Sequence, residues 1–118
     1  MKLGVMNPVL YHLEFEEALK YLNSLGVECI EIGAGGSPGD KHLKPLELIN
    51  NPDKVNEYKE LLKKYEIEIS AISCHGNPVH PNKELSKKYD YELRNAILAA
   101  ELLGVDTIIG FSGCPGYC

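Results

Sequence analysis

The groups able to do chemistry in this sequence are four histidines and a few carboxylates, amides and hydroxyls at the ends of apolar runs. His75 follows the apolar run Ile67 to Cys74 and opens the segment HGNPVHPN. Imidazole both donates and accepts hydrogen bonds near neutral pH, which suits a polyhydroxylated ligand. Asn77 can hydrogen-bond a hydroxyl, although an Asn before a Pro is also an ordinary turn residue. Glu31 lies late in the run VECIEI, where a carboxylate without a partner is expensive to bury. It is expected to bind substrate hydroxyls or to hold a cationic neighbour. Gly33, Gly35, Gly36 and Gly39 lie in GAGGSPGDKH. They permit tight turns; Gly35 and Gly36 are candidates for bringing backbone N–H groups to a sugar or phosphate, with plain loop geometry as the alternative. Ser112 is placed on the rim of the same site, beside Gly113 and Cys114.

Other residues receive structural readings. His80 is expected to fix its own loop, His42 to approach the rim from the end of the glycine-rich segment, and His12 to be structural or exposed. Cys114 and Cys118 form one CPGYC pair, half a zinc site at most; free thiols are the simpler reading. No residue is assigned a catalytic or metal-ligating role.

Four apolar runs alternate with three helical patterns to position these groups. Lys2 to Met6 reads as a strand ended by Asn7-Pro8. Phe15, Ala18, Leu19, Leu22 and Leu25 form a helical stripe, with Glu14, Glu16 and Glu17 in the first turn and Gly26 as the stop. Val27 to Ile32 is the second strand, with Val27, Cys29 and Glu31 on one face and Glu28, Ile30 and Ile32 on the other. A helical turn follows Pro45. Asn51 and Pro52 then cap and open a second full helix with the stripe Val55, Tyr58, Leu62 and Tyr65. Ile67 to Cys74 is the third strand. Leu93, Ala96, Ile97, Ala100 and Leu103 stripe the third helix, which Gly104 ends. Val105 to Phe111 is the fourth strand. The glycine-stopped LGVECI and LGVDTI segments echo each other, as repeated βα units would.

A β-α-β-α-β-α-β order predicts a parallel α/β sheet with right-handed crossovers. A dinucleotide-binding sheet wants G-x-G-x-x-G between its first strand and helix, and NPVLYHLEF holds no glycine there. Polar, Gly and His residues instead gather after the strand C-termini, while the opposite connections are short Gly turns. That asymmetry matches the active and stability faces of a TIM-type barrel. A complete barrel takes about 250 residues and eight strands. Residues 1–118 are therefore expected to form one domain, the N-terminal half of such a barrel. A self-pairing half-barrel and a small open α/β domain are the alternatives.

Composition narrows the function classes. The net charge of −5 and the Glu-interleaved lysines argue against a nucleic-acid surface. No apolar run is long enough to cross a membrane, and the first residues show no signal-peptide core. The sparse cysteines suit a reducing, cytoplasmic setting.

Several segments carry a resemblance. VECIEIGAGGSPGDKH, ISCHGNPVHPN and IIGFSGCPG, together with KLGVMNPV and the LGVDTI segment, resemble the sugar phosphate isomerase/epimerase family, whose members are xylose isomerase-like TIM barrels. The likeness runs through nearly the whole chain in the family's order and departs only at Tyr117 and Cys118. It implies a carbohydrate substrate and a divalent metal (Mn, Mg, Co or Zn) in the complete barrel. It also implies isomerisation, epimerisation or related dehydration as the reaction. The family's usual metal ligands, two Glu, an Asp and a His, come from the barrel's second half, so no metal is expected on this chain alone and the chain alone is expected to be inactive. The resemblance implies that His75 contacts a substrate hydroxyl or lies near the metal; Glu31, Asn77, Gly35, Gly36 and Ser112 are the further substrate-binding candidates, on the residue types and positions given above. In a related branch of repair endonucleases a His follows an early strand, as His75 does. The position after the fourth strand is Phe111 or Ser112 here, which weakens that alternative. A non-catalytic half-barrel that binds small molecules, or assembles with itself through the edges of its outer strands, is the other alternative.

Overall fold

The computed structural model describes residues 1–116. The elements are β1 (Gly4–Met6), a 3-10 turn (Asn7–Leu10), α1 (Phe15–Ser24), β2 (Cys29–Gly36), α2 (Pro45–Leu48), α3 (Pro52–Lys64), β3 (Glu68–His75), α4 (Lys83–Leu103) and β4 (Ile108–Ile109). The four strands are parallel and lie in the order β1-β2-β3-β4. An open dinucleotide-binding sheet reverses its strand order at a switch point. This sheet does not, and it forms one wall of a (β/α) barrel, as the alternation in the sequence predicts.

Local chemistry places the helices. Asn51 caps α3 by accepting the Lys54 N–H at 3.3 Å, and Pro52 takes the first turn, where its missing N–H costs nothing. Asn82 caps α4 by accepting the Glu84 and Leu85 N–H groups at 2.9 and 3.3 Å. Gly104 ends α4 at φ 72°, a left-handed conformation that glycine adopts without strain. At the start of α1 the Glu17 carboxylate accepts the Glu14 N–H.

Side chains alternate across the sheet. Ile30, Ile32 and Ala34 of β2, with Ile72 and Cys74 of β3, are buried in the core clusters beneath the helices. Alanines at 96, 99 and 100 are buried where α4 meets this layer, and their small size lets the helix lie close to the strands. The expected stripe of α4 is thus rotated: Ile97 is 48% exposed, and Ala99 takes the inward place.

The strand limits also differ from those expected. β2 continues through Gly36, pairing Gly33 with Ser73 and Gly36 with His75. Glycines lack strand propensity, so the segment reads as a loop; hydrogen bonding to β3 overrides that preference. β4 is confined to Ile108–Ile109, which pair with Ile72 and Ser73.

A buried polar lock joins the first two units. Asn7 is fully buried; its Oδ1 accepts the Gly33 N–H at 2.9 Å, and its amide nitrogen lies 3.2 Å from His42 Nδ1. His42 Nε2 lies 2.9 Å from the Leu13 carbonyl. Both contacts are satisfied when Nε2 carries the proton and Nδ1 accepts from Asn7. The Tyr58 hydroxyl donates to the His42 carbonyl at 3.0 Å, and burial pushes that phenol well above its ordinary pKa. The Phe15 ring stacks on Tyr58 at 4.7 Å and lies 5.5 Å from the imidazole. His42 is therefore a core residue, only 5% exposed, and does not reach the rim.

Two outcomes follow for stability. His42→Ala leaves the buried Asn7 amide nitrogen without its acceptor and opens a cavity, so urea unfolding should show a loss of about 2–4 kcal/mol, against about 0.5 kcal/mol or less for His80→Ala. An equal, small loss for both would contradict the lock. Separately, burial, and secondarily the Glu92 charge, push the Cys74 thiol from 9.0 up to about 11. The folded state then holds this proton more tightly than the unfolded chain, so folding stability falls as pH rises through that window. Cys74→Ala should lose less stability than wild type between pH 9 and pH 11; parallel profiles would refute the assignment.

Candidate functional site

The strand C-termini open onto two clefts. The first, of about 480 Å³, lies over the ends of β3 and β4, and its lining includes Ser37, His75, Asn77, Tyr89, Phe111 and Ser112. It brings together three residues singled out in the sequence: His75, Asn77 and Ser112. The His75 imidazole stacks on Phe111, with ring centroids 4.5 Å apart and planes 25° from parallel. Its Nε2 is buried and has no hydrogen-bond partner among the described residues.

Asn77 staples the two loops of this cleft. Its Oδ1 accepts the Cys114 N–H at 3.0 Å, and its Nδ2 donates to the Cys114 carbonyl at 2.8 Å. Gly113 makes this possible: it sits at φ 88°, and a Cβ there would stand 2.5 Å from Asn77 Oδ1. The amide of Asn77 is thus spent on the loops, which sets the shape of the cleft. Cys114 is disulfide-bonded, which corrects the free-thiol reading at that position; Cys118 lies outside the described residues. Cys29 and Cys74 are free and buried. His80 accepts the Asn82 N–H through Nδ1 at 2.9 Å, at the start of α4.

Gly35 and Gly36 line a second cleft, of about 340 Å³, with Asp40, Lys88, Tyr91 and Glu92. Their N–H groups are engaged inside the protein. Gly35 donates to the Gly39 carbonyl at 3.0 Å, Gly36 to Glu92 Oε2 at 3.0 Å, and Gly39 to the Gly36 carbonyl at 3.1 Å. The segment folds back on itself and presents a rigid turn.

Glu31 stands in neither cleft. It lies on the sheet face opposite the helices, in register with Met6 and Ala71, and is half-buried. Its carboxylate makes no hydrogen bond or ion pair with the described residues. One row nearer the cleft, Ser73 pairs with Gly33 and Ile109. Ser73 is fully buried, and its Oγ has no hydrogen-bond partner among the described residues. On one face the sheet therefore carries a carboxylate, a hydroxyl and an imidazole in ascending rows, none of them hydrogen-bonded by its side chain to another of the described residues. Sequence reading missed Ser73. The alternation within ISAISCH, which puts residues 73 and 75 on the same face, is the signal that marks it.

His75 and Ser112 can hydrogen-bond a small polyhydroxylated molecule against the aromatic wall of Phe111. Among the described residues, no three His, Cys, Asp or Glu side chains gather closely enough to hold a metal ion. Glu31 and His75 are separated by about 13 Å along the strands, taking about 3.3 Å per residue. No helix among the described residues is long and apolar enough to cross a membrane.

Comparison with known proteins places this geometry in a wider setting. No protein-family model matches the chain. The sequence is 35% identical over 115 residues to the uncharacterized protein YfiH of Bacillus subtilis (strain 168), an alignment spanning 98% of this chain and 36% of YfiH. The fold is similar to the crystal structure of the probable 3-DHS dehydratase AsbF, involved in petrobactin synthesis, from Bacillus anthracis. The TM-score is 0.68 with 19% identity, over 96% of this chain and 39% of AsbF. The chain thus spans little more than a third of either protein, and the fold it shares with AsbF is that of part of a parallel (β/α) barrel.

Proposed function

We propose that this segment is the substrate-shaping N-terminal part of a sugar or sugar-phosphate isomerase or epimerase with a xylose isomerase-like barrel. The supporting observation is the row of unpartnered polar groups on the inner sheet face, ending at a cleft walled by Phe111. A buried polar atom without a partner is costly, and a ligand hydroxyl relieves that cost. In this reading His75 contacts the ligand at the cleft, Ser73 lies one row beneath it, Glu31 faces the deeper part of the same sheet face rather than the same ligand atoms, and Ser112 closes the rim. Asn77, Gly35 and Gly36 shape the walls through the backbone bonds described above.

Epimerisation, dehydration and the enediol route of isomerisation of sugar-like molecules move a proton at a carbon next to a carbonyl, a step for positioned acids and bases. AsbF, a probable dehydratase, is similar in fold. The resemblance carries an expectation of a divalent metal in the complete barrel.

The test is titration of the chain with D-fructose and ribulose 5-phosphate, followed by NMR, with and without EDTA. Shifts should map to His75, Ser73 and Ser112. They should be insensitive to EDTA, and His75→Ala should weaken binding about tenfold, the loss of roughly one good hydrogen bond. No binding by the chain or by the complete protein would remove the carbohydrate reading. Metal-dependent nicking of abasic DNA by the complete protein would replace it with the endonuclease alternative.

A further inference from the structure

Helix α4 reaches both backbone positions that flank the His75 ring. Tyr89 and Glu92 are three residues apart and share a helix face. The Tyr89 ring lies against Gly76: a Cβ there would stand 2.5 Å from Tyr89 Cδ1. Glu92 Oε2 accepts the Gly36 N–H at 3.0 Å. Gly36 in turn sits directly on the backbone of His75. A Cβ on Gly36 would come within 2.3 Å of the His75 carbonyl oxygen and 2.9 Å of its nitrogen. The Ser37 N–H donates to that same carbonyl at 2.7 Å.

These bonds form a continuous path from a carboxylate on the helix to the backbone that aims the imidazole. We propose that Glu92 is a positioning residue for His75, acting through Gly36 and the Ser37–His75 hydrogen bond while touching neither the imidazole nor a ligand. The Glu92 side chain is 26% exposed. A hydrogen bond to an ionised acceptor is stronger than one between neutral groups, and partial burial protects it from water. Lys88, whose Nζ lies 3.7 Å from Glu92 Oε1, is 63% exposed and contributes little to the path. Replacing Glu92 frees the Gly36 N–H, and the tight turn at φ 66° loses the bond that ties it to α4. His75 then leaves its stack on Phe111.

The inference rests on the reading of His75 as a ligand-facing group, but its test needs no ligand. The His75 ring protons, which the stacked Phe111 displaces upfield, report the geometry by NMR. In Glu92→Ala most of that upfield displacement should be lost, together with a change at the Ser37 and His75 amides. Glu92→Gln keeps an acceptor oxygen and should restore the ring positions, with only the Gly36 amide proton moving upfield. Lys88→Ala should leave all of these signals in place. Ring protons of His75 unchanged in Glu92→Ala would overturn the proposal. Should Glu92→Ala fail to fold, an unmoved Gly36 amide in Glu92→Gln would overturn it equally. If ribulose 5-phosphate binds wild type while Glu92→Ala leaves His75 unmoved, the positioning role fails and the carbohydrate reading stands. If no sugar binds but His75 moves in Glu92→Ala, the positioning role stands and the carbohydrate reading fails.

Discussion

The absence of a side chain at residue 36 is the constraint on which the site depends. Gly36 packs so closely on His75 that the β2 and β3 backbones meet where any other residue would place a Cβ. This contact carries β2 beyond its apolar run and seats the Ser37–His75 hydrogen bond. It also turns the glycine-rich segment back toward α4. The carboxylate of Glu92 and the ring of Tyr89 meet that turn from the helix side. A close backbone approach thus couples sheet pairing, helix placement and the aim of one imidazole.

A second set of interactions holds the barrel wall in shape. Asn7 and His42 join the turn after β1 to the start of the segment that leads to α2, through bonds buried from water. Buried polar groups of this kind specify one arrangement, because each alternative leaves a donor or acceptor unpaired. With Asn77 doing the same for the loops after β3 and β4, the upper rim is set by amide side chains. Three buried polar atoms lack a hydrogen-bond partner among the described residues: the Tyr11 hydroxyl, which lies beside Gly33, and Ser73 Oγ and His75 Nε2 on the inner sheet face.

Much of this architecture was legible in the residues. The apolar periodicities, the Asn51-Pro52 start and the Gly104 stop act locally, and local signals survive folding. The grouping of His75, Asn77 and Ser112 followed from their places after the third and fourth strands. What was illegible came from long-range contacts. The pairing of Gly33 to Gly36 with β3 needs a partner strand that composition cannot show. The burial of His42 depends on Asn7, Leu13 and Tyr58, three residues distant in sequence. The inward turn of Ala99 in place of Ile97 reflects how close α4 lies to the sheet. Ser73 was within reach, since it shares a face with His75 at a spacing of two.

The central claim is that the Gly36 contact sets the position of His75, and the variant Gly36→Ala tests it most directly. A Cβ at that position meets backbone and is combined with a φ of 66°, so a stability loss of about 2 kcal/mol or more is expected in urea. In the fraction that folds, the stack of His75 on Phe111 should be lost. A Gly36→Ala chain as stable as wild type, with the His75 ring signals unmoved, would contradict the account.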